Sequence, residues 1–364
     1  MNVNATIAST NYNLEWSKWH FILTQIGNVT AIFCNVFLLF IFCVSKELNT
    51  SFTNSLFASL AFVDAVTSSF FIYKSAIEDF ITAPNGVLGS LYCRLIYTTY
   101  LMWASIAISW YHIIAITFDR YIAVKYAYIY EDFQNSKKNL VCILVACYIF
   151  GSLSLLPNIW MGRSTNNNSC IYSIPSPTMT TYFFINLLVF LFFVTICIVY
   201  MYGNIIYKVL YKSNYNKSKV SYQQKRATTI CIVLVGEFII CSYPNMLYYS
   251  GYLGQENFGI DIGLSLESVH YWLSVQLVNT SSLLNPILYM LQNRTFHMAV
   301  KSGRRAISNK LKMRYFLIFT VIFAILHLTS SVYEVPIDHN LKQRSLLKRN
   351  WRNLNNRKGE LYDI

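Results

Sequence analysis

Ile116-Thr117-Phe118-Asp119-Arg120-Tyr121-Ile122-Ala123-Val124 sets a charged triplet at the end of an apolar run that begins near Leu91. Charged side chains at the end of a membrane helix are inexpensive only where water reaches them, so Asp119-Arg120-Tyr121 marks an aqueous mouth on the inner side of a bilayer. Outward from this run, six more apolar stretches are long enough to cross ~30 Å of hydrocarbon as helices. The seven spans are His20–Val44, Phe52–Lys74, Leu91–Tyr121, Lys138–Trp160, Thr178–Leu210, Arg226–Ser250 and Ser268–Met290. Composition agrees: 55% of residues are hydrophobic and 12% charged, far from a soluble domain's balance.

Basic residues set the expected orientation. With the amino end outside, the inner segments carry Lys46, Arg120, Lys125, Lys137 and Lys138. They also hold the cluster from Lys208 to Arg226 and that from Arg294 to Lys312, whereas the outer segments hold only Lys18, Lys74, Arg94 and Arg163. That asymmetry follows the positive-inside rule, so the net charge of +13 reflects membrane orientation and not nucleic-acid binding. The amino end has no cleavable signal, and the first span acts as its own anchor. Asn4-Ala5-Thr6 and Asn167-Asn168-Ser169 are glycosylation sequons on the outer side. Seven of the nine cysteines lie in or at the spans, where a small apolar thiol is the plain reading. The other two, Cys93 and Cys170, fall in the oxidising compartment, and a bridge between them would tie the second outer loop across the bundle mouth.

In their order along the chain, these motifs resemble those of the rhodopsin-like (class A) G-protein-coupled receptors, over roughly residues 20–310. Asn35 in the first span, with Asp64 in the Ser59-Leu60-Ala61-Phe62-Val63-Asp64 stretch of span two, resembles the family's polar pair. Asp119-Arg120-Tyr121 is similar to its third-span signature, Phe238-Ile239-Ile240-Cys241-Ser242-Tyr243-Pro244 to its sixth, and Asn285-Pro286-Ile287-Leu288-Tyr289 to its seventh. The expected fold is therefore all-α: a seven-transmembrane helix bundle followed by an amphipathic helix eight around Phe296. The resemblance implies coupling to a heterotrimeric G protein through Asp119, Arg120, Tyr121, Tyr202, Phe238, Pro244, Asn285, Pro286 and Tyr289. In that scheme Asp119 locks Arg120 at rest, and Tyr202 and Tyr289 swing inward when it opens. The prolines remove backbone donors mid-helix and permit kinks.

Asp64 in mid-membrane is costly unless it faces the bundle interior and has partners. Asn35, Ser109, Ser281, Ser282 and Asn285 are the matching family positions, and together they hold either Na⁺ or an ordinary hydrogen-bonded polar knot. Several positions depart from the family. Ser242 replaces the aromatic usual before the sixth-span proline, Val194 stands at the fifth-span proline position, Trp110 replaces a smaller aliphatic, and the fourth span lacks its tryptophan. The distance from Cys93 to Arg120 is about two residues longer than usual. Glu237 adds an unusual carboxylate, read as a hydrogen-bonded core acid with proton sensing as the alternative.

No carboxylate lies between Arg94 and Phe118, which excludes the ammonium anchor of aminergic relatives, and Asn279 stands where an opsin needs its lysine. The expected ligand pocket comprises Tyr97, Tyr100, Met102 and Trp103, then Tyr182 and Asn186, then Asn245, Tyr248 and Tyr249, then Tyr271, Trp272 and Gln276. Aromatics with polar tips suit an extracellular peptide or a small chemosensory molecule, and equally an interfacial belt against membrane lipid.

The chain thus divides into an extracellular tail (1–19), a receptor domain with helix eight (20–312) and an atypical tail (313–364). The last begins with Met313-Arg314, a short apolar core and small residues, like a secretory signal peptide joined by a gene model, the alternative being a genuine tail that lies on the inner leaflet. No enzymatic chemistry and no cofactor other than Na⁺ is expected. The rival reading, a membrane transporter, would need internal repeats, and none is visible.

Overall fold

Burial decides which span forms the axis of the bundle. In the computed structural model, the central helix Tyr100–Lys125 has 67% of its most apolar window buried, against 11% for Lys137–Met161 at the periphery. Residues 3–45, 51–77, 83–165, 169–172, 177–208, 222–266 and 268–292 are described, together with Leu48, Phe296, Met298 and Val300. Only the backbone is described over 3–20, at most positions of 222–231 and at Tyr172.

The helices are α1 (Val3–Val44), α2 (Phe52–Ile72), α3 (Gly86–Tyr92), α4 (Tyr100–Lys125), α5 (Ala127–Asn135), α6 (Lys137–Leu153), α7 (Pro177–Tyr207), α8 (Tyr222–Phe258) and α9 (Val269–Gln292). Among the described residues, six helical segments are long and apolar enough to cross a membrane, in α1, α2, α4, α6, α7 and α8. The seventh expected span is present as α9, but Ser274, Gln276, Asn279, Ser281, Ser282 and Asn285 recur along it and keep it outside that set. Helical backbone starts at Val3, within the stretch read as the extracellular amino-terminal tail (1–19); no proline or glycine occurs before Gly27 to end it.

Helix α4 packs against α2, α6, α7 and α8, while α1 joins α2 to α9 and α8 lies along both α7 and α9. The approach of α6 to α4 requires glycine, because a Cβ on Gly151 would fall 2.5 Å from Ile108 Cγ1 and 2.7 Å from its backbone nitrogen. The same pair of helices is pinned by buried His112. Its Nδ1 meets the Ile108 carbonyl at 2.8 Å, and its Nε2 meets Ser59 Oγ at 2.8 Å, with Tyr148 OH 3.1 Å beyond. A carbonyl can only accept, so Nδ1 carries the proton and Ser59 donates to Nε2. Ser136 starts α6, its Oγ accepting from the Asn139 amide at 3.3 Å.

The third span is not the single helix that its apolar run predicts. It divides into α3, a π-turn over Cys93–Tyr97, a break at Thr98 and Thr99, and α4. A π-turn takes in an extra residue, and Thr99 stands in the left-handed region at φ 60°. Together they absorb the excess of about two residues between Cys93 and Arg120. Thr98 Oγ1 donates to the Arg94 carbonyl and Thr99 Oγ1 to the Thr98 carbonyl, each at 2.5 Å, satisfying acceptors that the break frees. Cys93 is bonded to Cys170 on β2 (Cys170–Tyr172), which pairs antiparallel with β1 (Gly162–Ser164). This hairpin lies tightly on the π-turn: a Cβ on Gly162 would overlap the Cys93 carbonyl oxygen.

Phe296 is buried, edge-on to Phe37 and Tyr289. The rest of the expected amphipathic helix, the tail 313–364, Asn167 and the side chain of Asn4 lie outside the described residues.

Candidate functional site

At the end of α4, Asp119 is fully buried and gathers four donors. Its Oδ2 accepts from Arg120 Nε at 2.9 Å, Arg120 Nη2 at 2.5 Å and Thr53 Oγ1 at 2.8 Å, and its Oδ1 accepts from Tyr130 OH at 3.1 Å. The same Nη2 donates to Tyr130 OH at 2.8 Å and to Thr53 Oγ1. Burial pushes the Tyr130 phenol up to about 12, so at neutral pH it keeps the proton it gives to Asp119. Thr53 on α2 and Tyr130 on α5 are partners that the sequence reading missed. The signal for Tyr130 was its place ten residues after Arg120 on a short, strongly two-faced helix. Tyr121 meets Tyr200 OH at 3.4 Å, Tyr202 is buried in the core, and Tyr289 donates to Asn54 Oδ1 at 3.0 Å.

Farther into the bundle, Asp64 is buried between three helices. Ser109 Oγ donates to its Oδ1 at 2.9 Å and Asn285 Nδ2 to its Oδ2 at 2.8 Å. Asn35 Nδ2 ties α1 to α9 through the Ser282 carbonyl at 2.9 Å. The structure thus brings Asn35, Asp64, Ser109, Ser282 and Asn285 together. Ser281 lies on the α8 side, where its side chain and that of Cys241 interact with Glu237. Asn35 Oδ1, Asn285 Oδ1 and both carboxylate oxygens of Glu237 are buried with no partner in hydrogen-bond geometry. Asp64, the amide oxygens and the serine hydroxyls offer an all-oxygen donor set, the kind that suits a hard cation. Among the described residues no group of three or more His, Cys, Asp and Glu side chains could hold a metal ion.

Between these polar centres and the disulfide lies a cavity of about 240 Å³. Trp110 and Phe190 stack at its edge with centroids 5.6 Å apart, and Trp110 also meets Phe238 edge-on at 6.3 Å. Five of the expected pocket residues line it: Trp103, Asn186, Asn245, Tyr249 and Tyr271. Seven do not. Tyr100 turns to α6 and donates to the Ser152 carbonyl at 3.1 Å, and Met102 packs into a core with Phe71, Ile106 and Val278. Tyr97 lies under Lys74, Tyr248 bonds Ser265 and Ser268, and Gln276 accepts from Thr24. Tyr182 points outward with 44% of its surface exposed, as a belt residue does, and Trp272 is also absent from the lining. The break in the third span sets Tyr97 on the π-turn apart from α4, and on α4 it is Trp103, not Tyr100 or Met102, that reaches the cavity. The cavity takes Thr98, Thr99, Ser154 and Asn158 instead, residues carrying no signal in the sequence that would set them apart.

With this geometry in view, the family described as 7 transmembrane receptor (rhodopsin family) matches residues 34–289. The substance-P receptor of Mus musculus is similar at 23% identity over 294 residues, which cover 76% of this chain and 68% of that protein.

Proposed function

Because the chain belongs to the rhodopsin family of seven-transmembrane receptors, we propose that it passes the binding of an extracellular peptide or small molecule to a heterotrimeric G protein. As a member of that family it is a multi-pass membrane receptor and not an enzyme. In this reading α9 makes the seventh crossing, the amino end faces outward, and the residues after Gln292 begin an amphipathic helix on the inner leaflet of the plasma membrane.

One observation carries the coupling reading: Arg120 is the only charged partner of buried Asp119 among the described residues, and its bonds to Thr53 and Tyr130 break when α2 or α5 moves away from α4. The buried charge pair is thus held by neighbours on separate elements, which is what a two-state element requires. Opening would free the guanidinium for a partner's carbonyl or carboxylate at the inner face. Between this mouth and the cavity lies Asp64. Its oxygen donors fit Na⁺, which Asp64, Ser109 and Asn285 would hold. A bound ion would offset the buried negative charge and favour the closed packing.

The test is basal nucleotide exchange on purified G protein by the full chain in vesicles, compared with solute flux through the same vesicles. Exchange is expected, and Arg120→Ala should abolish it while surface expression in cells is retained. Sodium should lower the basal rate of the wild type relative to a bulky organic cation, and Asp64→Asn should remove that difference. Normal exchange by Arg120→Ala, or flux without exchange, overturns the coupling reading; an unchanged sodium effect in Asp64→Asn overturns the ion.

A further inference from the structure

The hydrogen-bond orientation of the cavity wall defines what it can hold. Asn186 Nδ2 donates to the Ser154 carbonyl at 2.9 Å, and a carbonyl only accepts, so the Asn186 amide is fixed with Oδ1 turned away from α6. Asn245 is fixed the same way. Ser274 Oγ gives its hydrogen to the Tyr271 carbonyl at 2.6 Å, so toward Asn245 it can only accept, and it takes Nδ2 at 3.0 Å. Thr98, Thr99 and Ser154 likewise donate their hydroxyl hydrogens to backbone carbonyls. Two helices, α7 and α8, therefore each present a side-chain carbonyl oxygen, that of Asn186 and that of Asn245. The indole N–H groups of Trp103 and Trp110 and the side-chain amide of Asn158 have no protein partner among the described residues, which leaves donors on the α4 and α6 side. No described lining residue is charged.

We infer that the cavity takes an uncharged aromatic group whose polar end donates N–H or O–H bonds to Asn186 and Asn245 and accepts from the tryptophan side, as a primary carboxamide does. This inference rests on the receptor reading of the cavity given above. A carboxylate would set its oxygens against those of Asn186 and Asn245 with no cation to offset its burial, and an ammonium would lack a counter-ion. At about 240 Å³ the space is below the roughly 300–1,000 Å³ of ordinary ligand pockets, so it fits a fragment-sized molecule or the end of a peptide. Trp110 and Phe190 supply the aromatic wall.

The experiment uses one skeleton with three end groups: 3-phenylpropionamide, 3-phenylpropylamine and 3-phenylpropionate. Binding is read as the rise in melting temperature of the full chain purified in detergent, a readout independent of any G protein, so its failure leaves the coupling test untouched. The amide should stabilise the protein at roughly ten-fold or more lower concentration than either charged compound, the scale of one or two unmatched hydrogen bonds. Asn245→Asp, which keeps the side-chain size, should reverse the order in favour of the amine. A fourth compound, triglycyl-phenylalaninamide, separates the sources: tighter binding than 3-phenylpropionamide marks a peptide end, and weaker binding a free small molecule, both with the same chemistry. Equal or stronger stabilisation by the carboxylate or the amine in the wild type overturns the inference, as does no stabilisation by any of the four.

Discussion

Trp110 and Ser242 exchange sizes across the middle of the bundle. The sequence shows a serine where an aromatic belongs before Pro244 and a tryptophan where a small aliphatic belongs on the third span, but nothing in one dimension says that the two departures face the same space. In the structure Trp110 packs on Phe190 and Phe238, and Ser242 is fully buried with its Oγ unpartnered, and we propose that the tryptophan fills the space an aromatic at position 242 would take. On that proposal, close packing ties the size of one residue to the size of the other. Trp110→Ala should cost about 3–5 kcal/mol as a cavity, and Ser242→Trp alone about 1–3 kcal/mol by overpacking. The double mutant should recover roughly 1–3 kcal/mol relative to their sum. Denaturation of the three variants in one detergent measures this, and simple additivity would show that the residues do not share a space. Glu237 is the other departure legible in the sequence. Its carboxylate is buried in the core, where the side chains of Ser281 and Cys241 interact with it.

The third span shows where sequence reading stops at the scale of an element. Arg94-Leu95-Ile96-Tyr97-Thr98-Thr99-Tyr100 contains no proline or glycine, and local propensity gives no reason for a helix to break there. The constraint is tertiary. Cys93 must reach Cys170, and Gly162 lets the β-hairpin rest on the Cys93 carbonyl, while α4 must still deliver Asp119 and Arg120 to the far end. The π-turn and the left-handed Thr99 reconcile those demands. The spacing excess was visible in the sequence, but how the chain would absorb it was not, and of the four residues read from that span as pocket positions only Trp103 lines the cavity. Cys93→Ala and Cys170→Ala should each destabilise the protein by ~2–5 kcal/mol, and the double mutant by no more than either, because both remove one bond. Additive losses would mean that the cysteines act separately. Asp119, Arg120 and Tyr121 lie in the last two turns of α4, which runs unbroken from Tyr100 to Lys125.

At the scale of the whole molecule, apolar run length foresaw the multi-pass helical membrane protein. Helix α9, which falls outside the helices apolar enough to cross a membrane among the described residues, is the one that reaches Asp64 through Asn285, Asn35 through the Ser282 carbonyl and Asn54 through Tyr289. Function there demands the side chains that hydropathy counts against a membrane helix. The segment 313–364 runs against the same topology. Its apolar stretch from Tyr315 to Leu328 is too short for a comfortable crossing. A crossing would also put Lys342, Arg344, Lys348, Arg349, Arg352, Arg357 and Lys358 on the outer side, against the positive-inside rule. The family match ends at residue 289. A chain ending after Lys312 should therefore reach the cell surface at the level of the full chain and drive the same basal nucleotide exchange. An amino-terminal epitope labelled on intact cells measures surface level and orientation in one assay, because only an outward amino end is stained without permeabilisation. Loss of surface stain on truncation, with the full chain stained, would show that the apolar segment anchors the tail and belongs to the working receptor; staining of both chains only after permeabilisation would reverse the topology.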